Sequence, residues 1–159
     1  MVLASLFSAL TALCAWLSIP IPPIAFTLQT FALLLTLGVL GGKWGSISIL
    51  LYLLLGLVGL PVFSGFRGGA AALLDATGGF LWGFAVGAVA YWGLEKFGKL
   101  PAMVGFQLVC YGCGCWWFST YSGSMGAAVL TCVVPYLIPD GIKLWLAYGL
   151  SKRLRKHIT

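Results

Sequence analysis

Residues 1–42 read MVLASLFSALTALCAWLSIPIPPIAFTLQTFALLLTLGVLGG, without a single Asp, Glu, Lys or Arg. A membrane crossing takes about 20 apolar residues, so this run is long enough for two and too long for one. Pro20, Pro22 and Pro23 lie between the halves. Proline lacks an N–H and drives its predecessor into extended geometry, so the first helix must stop there. Lipid offers an open backbone no hydrogen bonds, which leaves helices as the form for runs of this apolarity. The reading is a helix over residues 2–19, a proline-rich turn, and a second helix over 26–40 ending at Gly41-Gly42.

The same pattern continues downstream, where residues 44–66, 76–94 and 100–139 are also free of charge. Of the 159 residues, 61% are hydrophobic and 8% charged, and the mean hydropathy is +1.05. A soluble domain carries about 25% charged residues, so this chain cannot coat a water-facing surface. It reads as one membrane domain over residues 1–159, with too little chain left for a fused ATPase, a receptor head or a conventional soluble enzyme. The first basic residue is Lys43; with no basic segment before the apolar start, Met1 onward reads as the first helix rather than a signal peptide.

Glycine and proline punctuation divides the rest. Helices are expected over residues 44–60, 77–94, from 101 to near 119–124, and 140–154, with a loop over 61–76. Residues 125–134 are apolar but too short to span and read as a re-entrant or interfacial helix before the sixth crossing. The fold class is therefore an all-α integral membrane protein with six transmembrane helices. Lys and Arg are retained on the cytoplasmic side. Lys43, Lys96, Lys99, Lys152, Arg153, Arg155 and Lys156 share one side if six helices are counted, which puts both termini in the cytoplasm. The net charge of +6 thus reads as topology, not as a nucleic-acid surface.

Arg67 and Lys143 fall on the opposite, outer side. Charges at membrane depth are costly and usually have a partner or a task. Asp140 and Lys143 lie three apart on one helical face, which suits either a local ion pair at a helix start or a pair pointing into an outward-opening cavity that Arg67 folds over. Asp75 suits an N-cap. Thr27 and Gln29 start the second helix, where capping and packing stand beside ligand contact; Tyr52, Trp82 and Tyr91 read as packing or interfacial aromatics. Ala4, Ser8 and Ala12 form a small-residue face that fits close packing, within the chain or against a partner helix. The five cysteines read as small buried hydrophobes. Cys113-Gly-Cys115 lacks metal or redox spacing and the single His is His157, so no metal and no cofactor are expected. There is no catalytic set and no Walker lysine; the chain does not read as an enzyme, and energy for uphill transport must come from elsewhere.

Four ordered strings carry a resemblance across the whole chain: IPPIAFTLQ over residues 21–29, LLYLLLGLVGLPVF over 50–63, ATGGFLWGF over 76–84, and PYLIPDGIK over 135–143. They resemble the BioY family, the biotin-binding S components of energy-coupling factor (ECF) transporters. The chain departs from the family's usual proline at Ala25 and its frequent Gly-Pro at Asp75-Ala76. The resemblance implies a six-helix S component in the cell membrane of a prokaryote that captures biotin from outside and docks onto a transmembrane T component driven by two cytoplasmic ATPases. It implies a biotin pocket built from Asp140, Lys143, Thr27, Gln29 and Tyr52, with Arg67 closing it or meeting the carboxylate, and docking through the Ala4–Ser8–Ala12 face. Two other readings stand beside it: a stand-alone facilitator or proton-coupled carrier using Asp140, and a non-transporting structural membrane protein.

Overall fold

The structure, a computed structural model, describes residues 1–20 and 25–158. Pro22 and Pro23, expected to break the first helix, lie outside these residues. Helix α1 (Val2–Trp16) stops three residues earlier than expected, because Ser18–Ile19 (β1) pairs antiparallel with Phe26–Thr27 (β2). Helix α2 (Gln29–Leu57) is one run only in name, since Gly41 breaks it with φ 78 and ψ 177. Residues 29 and 52 of a straight helix would stand roughly 35 Å apart. Gln29 Nε2 nevertheless donates to the Tyr52 hydroxyl at 2.9 Å. The element is a hairpin of two arms, 29–40 and 42–57.

Only glycine reaches the Gly41 conformation readily, but the turn also strands polar backbone groups. A helix end leaves carbonyls unpaired and a helix start leaves N–H groups unpaired, with partial negative and positive charge respectively. Both are met from the connection between two later helices. Lys99 Nζ donates to the Gly38 carbonyl at 3.1 Å, and Glu95 Oε2 accepts from the Gly42 N–H at 2.7 Å. Loss of such a cap costs about 1–2 kcal/mol. Glu95→Ala is expected to lower the melting temperature of the purified protein accordingly; an unchanged transition would show that the turn is held by other contacts.

Helices α3 (Ala70–Leu74), α4 (Gly78–Leu94), α5 (Lys99–Ser122), α6 (Met125–Cys132) and α7 (Leu137–Ile158) follow. The expected loop over 61–76 contains α3 and a 3-10 turn at Ser64–Phe66. Helix α7 begins before Asp140, since Pro139 sits in its first turn, where no helical N–H is required of it. The α2 hairpin is the hub, with α1, α4 and α7 packed on it, while α5 joins through α4 and carries α6. Hydroxyls tie the helices together: Ser48 Oγ donates to the Ala4 carbonyl at 2.7 Å and Ser46 Oγ to the Ala88 carbonyl at 3.0 Å. One end of the bundle gathers Gly38, Lys99 and Ser151. At the other, Trp16 Nε1 donates to the Pro61 carbonyl and Trp117 Nε1 to the Asp75 carbonyl.

Polar and apolar residues are distributed as lipid requires. Thr36, Ser46, Ser48, Gln107, Asp140 and Lys143 are buried, while Leu6, Val89, Leu108, Trp116 and Trp145 are exposed. Among the described residues, the stretches Gln29–Leu57 and Met125–Lys156 have the length and apolarity of a membrane crossing, the first being folded back at Gly41 and the second running from α6 into α7.

The small-residue face of α1 requires a correction. Ala4, Ser8 and Ala12 are 4%, 1% and 8% exposed, turned into this chain rather than outward. Small side chains allow close backbone approach, and here the second arm of α2 makes it, with Ser48 bonded to the Ala4 backbone. The open side of α1 carries Val2, Leu6 and Leu13, with Ser5 and Ala9 among them.

Candidate functional site

Between the hairpin, α4, α5 and α7 lies a chamber that, counted together with the open space at its mouth, has about 810 Å³ free of atoms. Its walls are apolar: Phe63 from the loop and Phe80, Leu81 and Phe84 from α4. Phe84 is backed by Phe106, with centroids 6.5 Å apart. The i, i+1, i+4 spacing of Phe80, Leu81 and Phe84 turns these side chains to one face of α4, while its glycines let α5 approach closely on another; a Cβ at Gly83 would stand 3.0 Å from the Cys110 Cα.

The polar floor centres on Asp140, 6% exposed, and Lys143, also 6% exposed. Asp140 Oδ1 accepts from Lys143 Nζ at 2.8 Å and from Thr30 Oγ1 at 3.5 Å. Its Oδ2 accepts from the Tyr111 hydroxyl at 2.7 Å and Gln107 Nε2 at 3.2 Å. A carboxylate offers about four lone-pair sites, so Asp140 is saturated. Lys143 also donates to the Thr27 carbonyl at 2.6 Å and to Thr30 Oγ1 at 3.2 Å, and its ammonium lies 4.0 Å from the Phe26 ring centroid. The three ammonium protons are thereby used, and the pair ties α7 to the start of α2.

Gln107 and Tyr111 were not anticipated from sequence. They lie one helical turn apart on α5, so both reach the same chamber. A carboxylate only accepts hydrogen bonds, which fixes the Gln107 amide nitrogen toward Asp140. Its Oε1 is left buried without a hydrogen-bond partner. The signal available was two polar side chains at i, i+4 within an otherwise apolar run.

The remaining expected residues divide by position. Thr27 and Gln29 line the chamber, and Thr27 Oγ1 also accepts from the Gln29 N–H at 3.3 Å, a local cap on α2. Tyr52 does not line it. Fully buried, it stands behind: its hydroxyl accepts from Gln29 and donates to the Val62 carbonyl at 3.0 Å, and its ring meets Phe63 edge-on at 5.6 Å. It therefore positions two lining residues. Arg67 reaches the mouth, ion-paired with Asp75. Asp75 does not cap α4 through its side chain; it binds Arg67 and accepts from the Ala76 N–H at 2.7 Å.

A model of the BioY family matches residues 1–159. The biotin transporter BioY of Thermotoga maritima is 39% identical over 158 residues, covering 96% of this chain and 94% of that protein. A protein of Pyrococcus horikoshii named "Probable biotin transporter BioY" is 40% identical over 154 residues, covering 96% and 94%. The crystal structure of the S-component for biotin from an ECF-type ABC transporter superposes with a TM-score of 0.87 at 28% identity, covering 96% of this chain and 88% of that one.

Proposed function

We propose, from the premise that this chain belongs to the BioY family, that it takes up biotin as the substrate-binding S component of an ECF-type ABC transporter. It is a transport component and not an enzyme. The observation that carries the reading is a chamber whose chemistry changes along its length: a buried hydrogen-bonding floor, aromatic walls and a cation at the mouth. Biotin has the same sequence of chemistries, with a ureido ring, an apolar bicyclic body and a carboxylate tail. With Asp140 saturated, the unpartnered Gln107 Oε1 is the acceptor offered to a ureido N–H group, held in place by the bond from its amide nitrogen to Asp140. Arg67 then faces the carboxylate.

The membrane arrangement belongs to the same proposal. The chain crosses six times with both termini cytoplasmic, the end that gathers Gly38, Lys99 and Ser151 lies inside, and the loop carrying Arg67 lies outside. Gln29 stands about 18 Å along its arm from the Gly41 turn, less than the roughly 30 Å hydrocarbon thickness. The chamber is thus sunk within the bilayer and opens outward. A T component and two ATPases supply the drive that this chain lacks. The ion pairing of Asp140 with Lys143 disfavours a proton-carrying role for that carboxylate.

Binding of labelled biotin to the purified protein, challenged with excess of other vitamins, tests the assignment; displacement by a different vitamin, or no saturable binding, overturns it. Gln107→Met keeps the volume and removes the free acceptor. Leaving a buried donor of the ligand unpaired costs about 1–3 kcal/mol, so biotin affinity should fall about ten- to hundredfold, and affinity within about twofold of the parent would remove Gln107 from the site.

A further inference from the structure

We infer that Asp75 is a specificity-determining residue that occupies Arg67 until a ligand's carboxylate displaces it, and so sets how the chain distinguishes a free acid tail from a capped one. The inference rests on the biotin reading of the chamber. Arg67 lines both the chamber and a shallow cleft outside it, and Asp75 lines only that cleft. Arg67 thus borders both spaces, as Ala72 does, and its ion pair with Asp75 lies on the outer one. The side chains are 47% and 48% exposed, so, unlike the buried pair on the floor, this one contributes little to stability and can exchange partners.

Lys143 cannot serve the tail, because Thr27, Thr30 and Asp140 already take its three protons. Arg67 is the other cation lining the chamber. Its Nε donates to the Ser64 carbonyl at 3.2 Å and one terminal nitrogen to Thr77 Oγ1 at 3.4 Å, leaving the Asp75 contact as its only bond to a charge among the described residues. Both partners are anchored through their backbones. Phe66, beside Arg67, holds φ 57 with its ring 5.0 Å from that of Trp16, and Trp117 Nε1 donates to the Asp75 carbonyl at 2.9 Å. The guanidinium is therefore presented with one carboxylate oxygen already on one of its terminal nitrogens. A ligand carboxylate matches that geometry and replaces Asp75 on the fork, while like charge keeps both from staying.

The test is biotin and biotinamide binding to the purified full chain. Asp75→Asn retains an acceptor for the Ala76 N–H and loses the charge. Biotin affinity should rise about three- to tenfold, whereas biotinamide affinity should stay within about twofold. In an Arg67→Gln background Asp75→Asn should have no effect on biotin, the signature of a coupled pair. Equal gains for both ligands, weaker biotin binding, or a gain that persists without Arg67 overturns the inference. If Asp75→Asn folds poorly, Arg67→Gln alone decides, since it should bring the biotin and biotinamide affinities together. A parent protein that binds neither ligand overturns the biotin reading as well; a parent that binds biotin while the variants misbehave overturns only the role of Asp75.

Discussion

Lys143→Met is expected to lower biotin affinity by a hundredfold or more and to depress the melting temperature. Removing one partner of a buried pair leaves the other charge uncompensated, at about 3–5 kcal/mol of folding stability; the loss of affinity comes from the disturbed floor, and a hundredfold corresponds to about 2.7 kcal/mol of binding free energy. Asp140 would keep Tyr111, Gln107 and Thr30 but lose its countercharge, and the start of α2 would lose its tie to α7. The double variant Asp140→Leu with Lys143→Met separates the two consequences. Apolar replacement of a whole buried pair is often neutral for folding, so thermal stability should largely return. Biotin binding should not, because Gln107 and Tyr111 have lost the carboxylate that orients them. Wild-type affinity in Lys143→Met would show that the pair is unconnected to the ligand.

Ala4→Trp should abolish recovery of folded protein, and Ser8→Trp should do the same. Overpacking a close-packed core costs about 1–3 kcal/mol even for modest insertions, and here an indole would have to part α1 from an arm whose Ser48 hydroxyl sits 2.7 Å from the Ala4 carbonyl. Ala9→Trp, on the open side of the same helix, should be extracted as well as the parent. Monodispersity after detergent extraction and the unfolding transition read the difference. A stable Ala4→Trp protein would place this face outside the bundle.

Much of the helix plan was readable because lipid permits so few solutions. The run 77–94 between Asp75 and Glu95 and the short apolar helix after Ser124 correspond to α4 and α6 almost to the residue. Asp140 and Lys143 were found by their cost, as rare charges three apart on one face, and the structure makes them each other's partner. Gln107 and Tyr111 were passed over because neither is charged and both lie within the 100–139 run that announced itself only as a crossing. Tyr52 lies one layer behind the lining where the resemblance implies contact, since a sequence does not distinguish a side chain that lines a space from one that braces the lining. The α1 face turns inward for a reason the sequence does not carry. Small residues permit close contact without specifying the neighbour, and only the bulky Leu6 and Leu13 on the opposite side reveal which way the helix turns. The Gly41 reversal was legible; its clamp by Glu95 and Lys99 was not, because nothing local ties those residues to it.

That clamp has a consequence for biogenesis. The groups that satisfy the Gly41 turn lie 53 and 61 residues farther along the chain. As the protein is synthesised, the hairpin emerges long before its stabilising charges do, and until residues 95 and 99 follow, water and lipid headgroups are the turn's only other source of hydrogen bonds. Lys43, two residues beyond the bend, favours holding it at the aqueous boundary during that interval. The first half of the chain can therefore be inserted with its turn provisionally solvated, and becomes locked only when the residues that follow α4 and open α5 reach the turn.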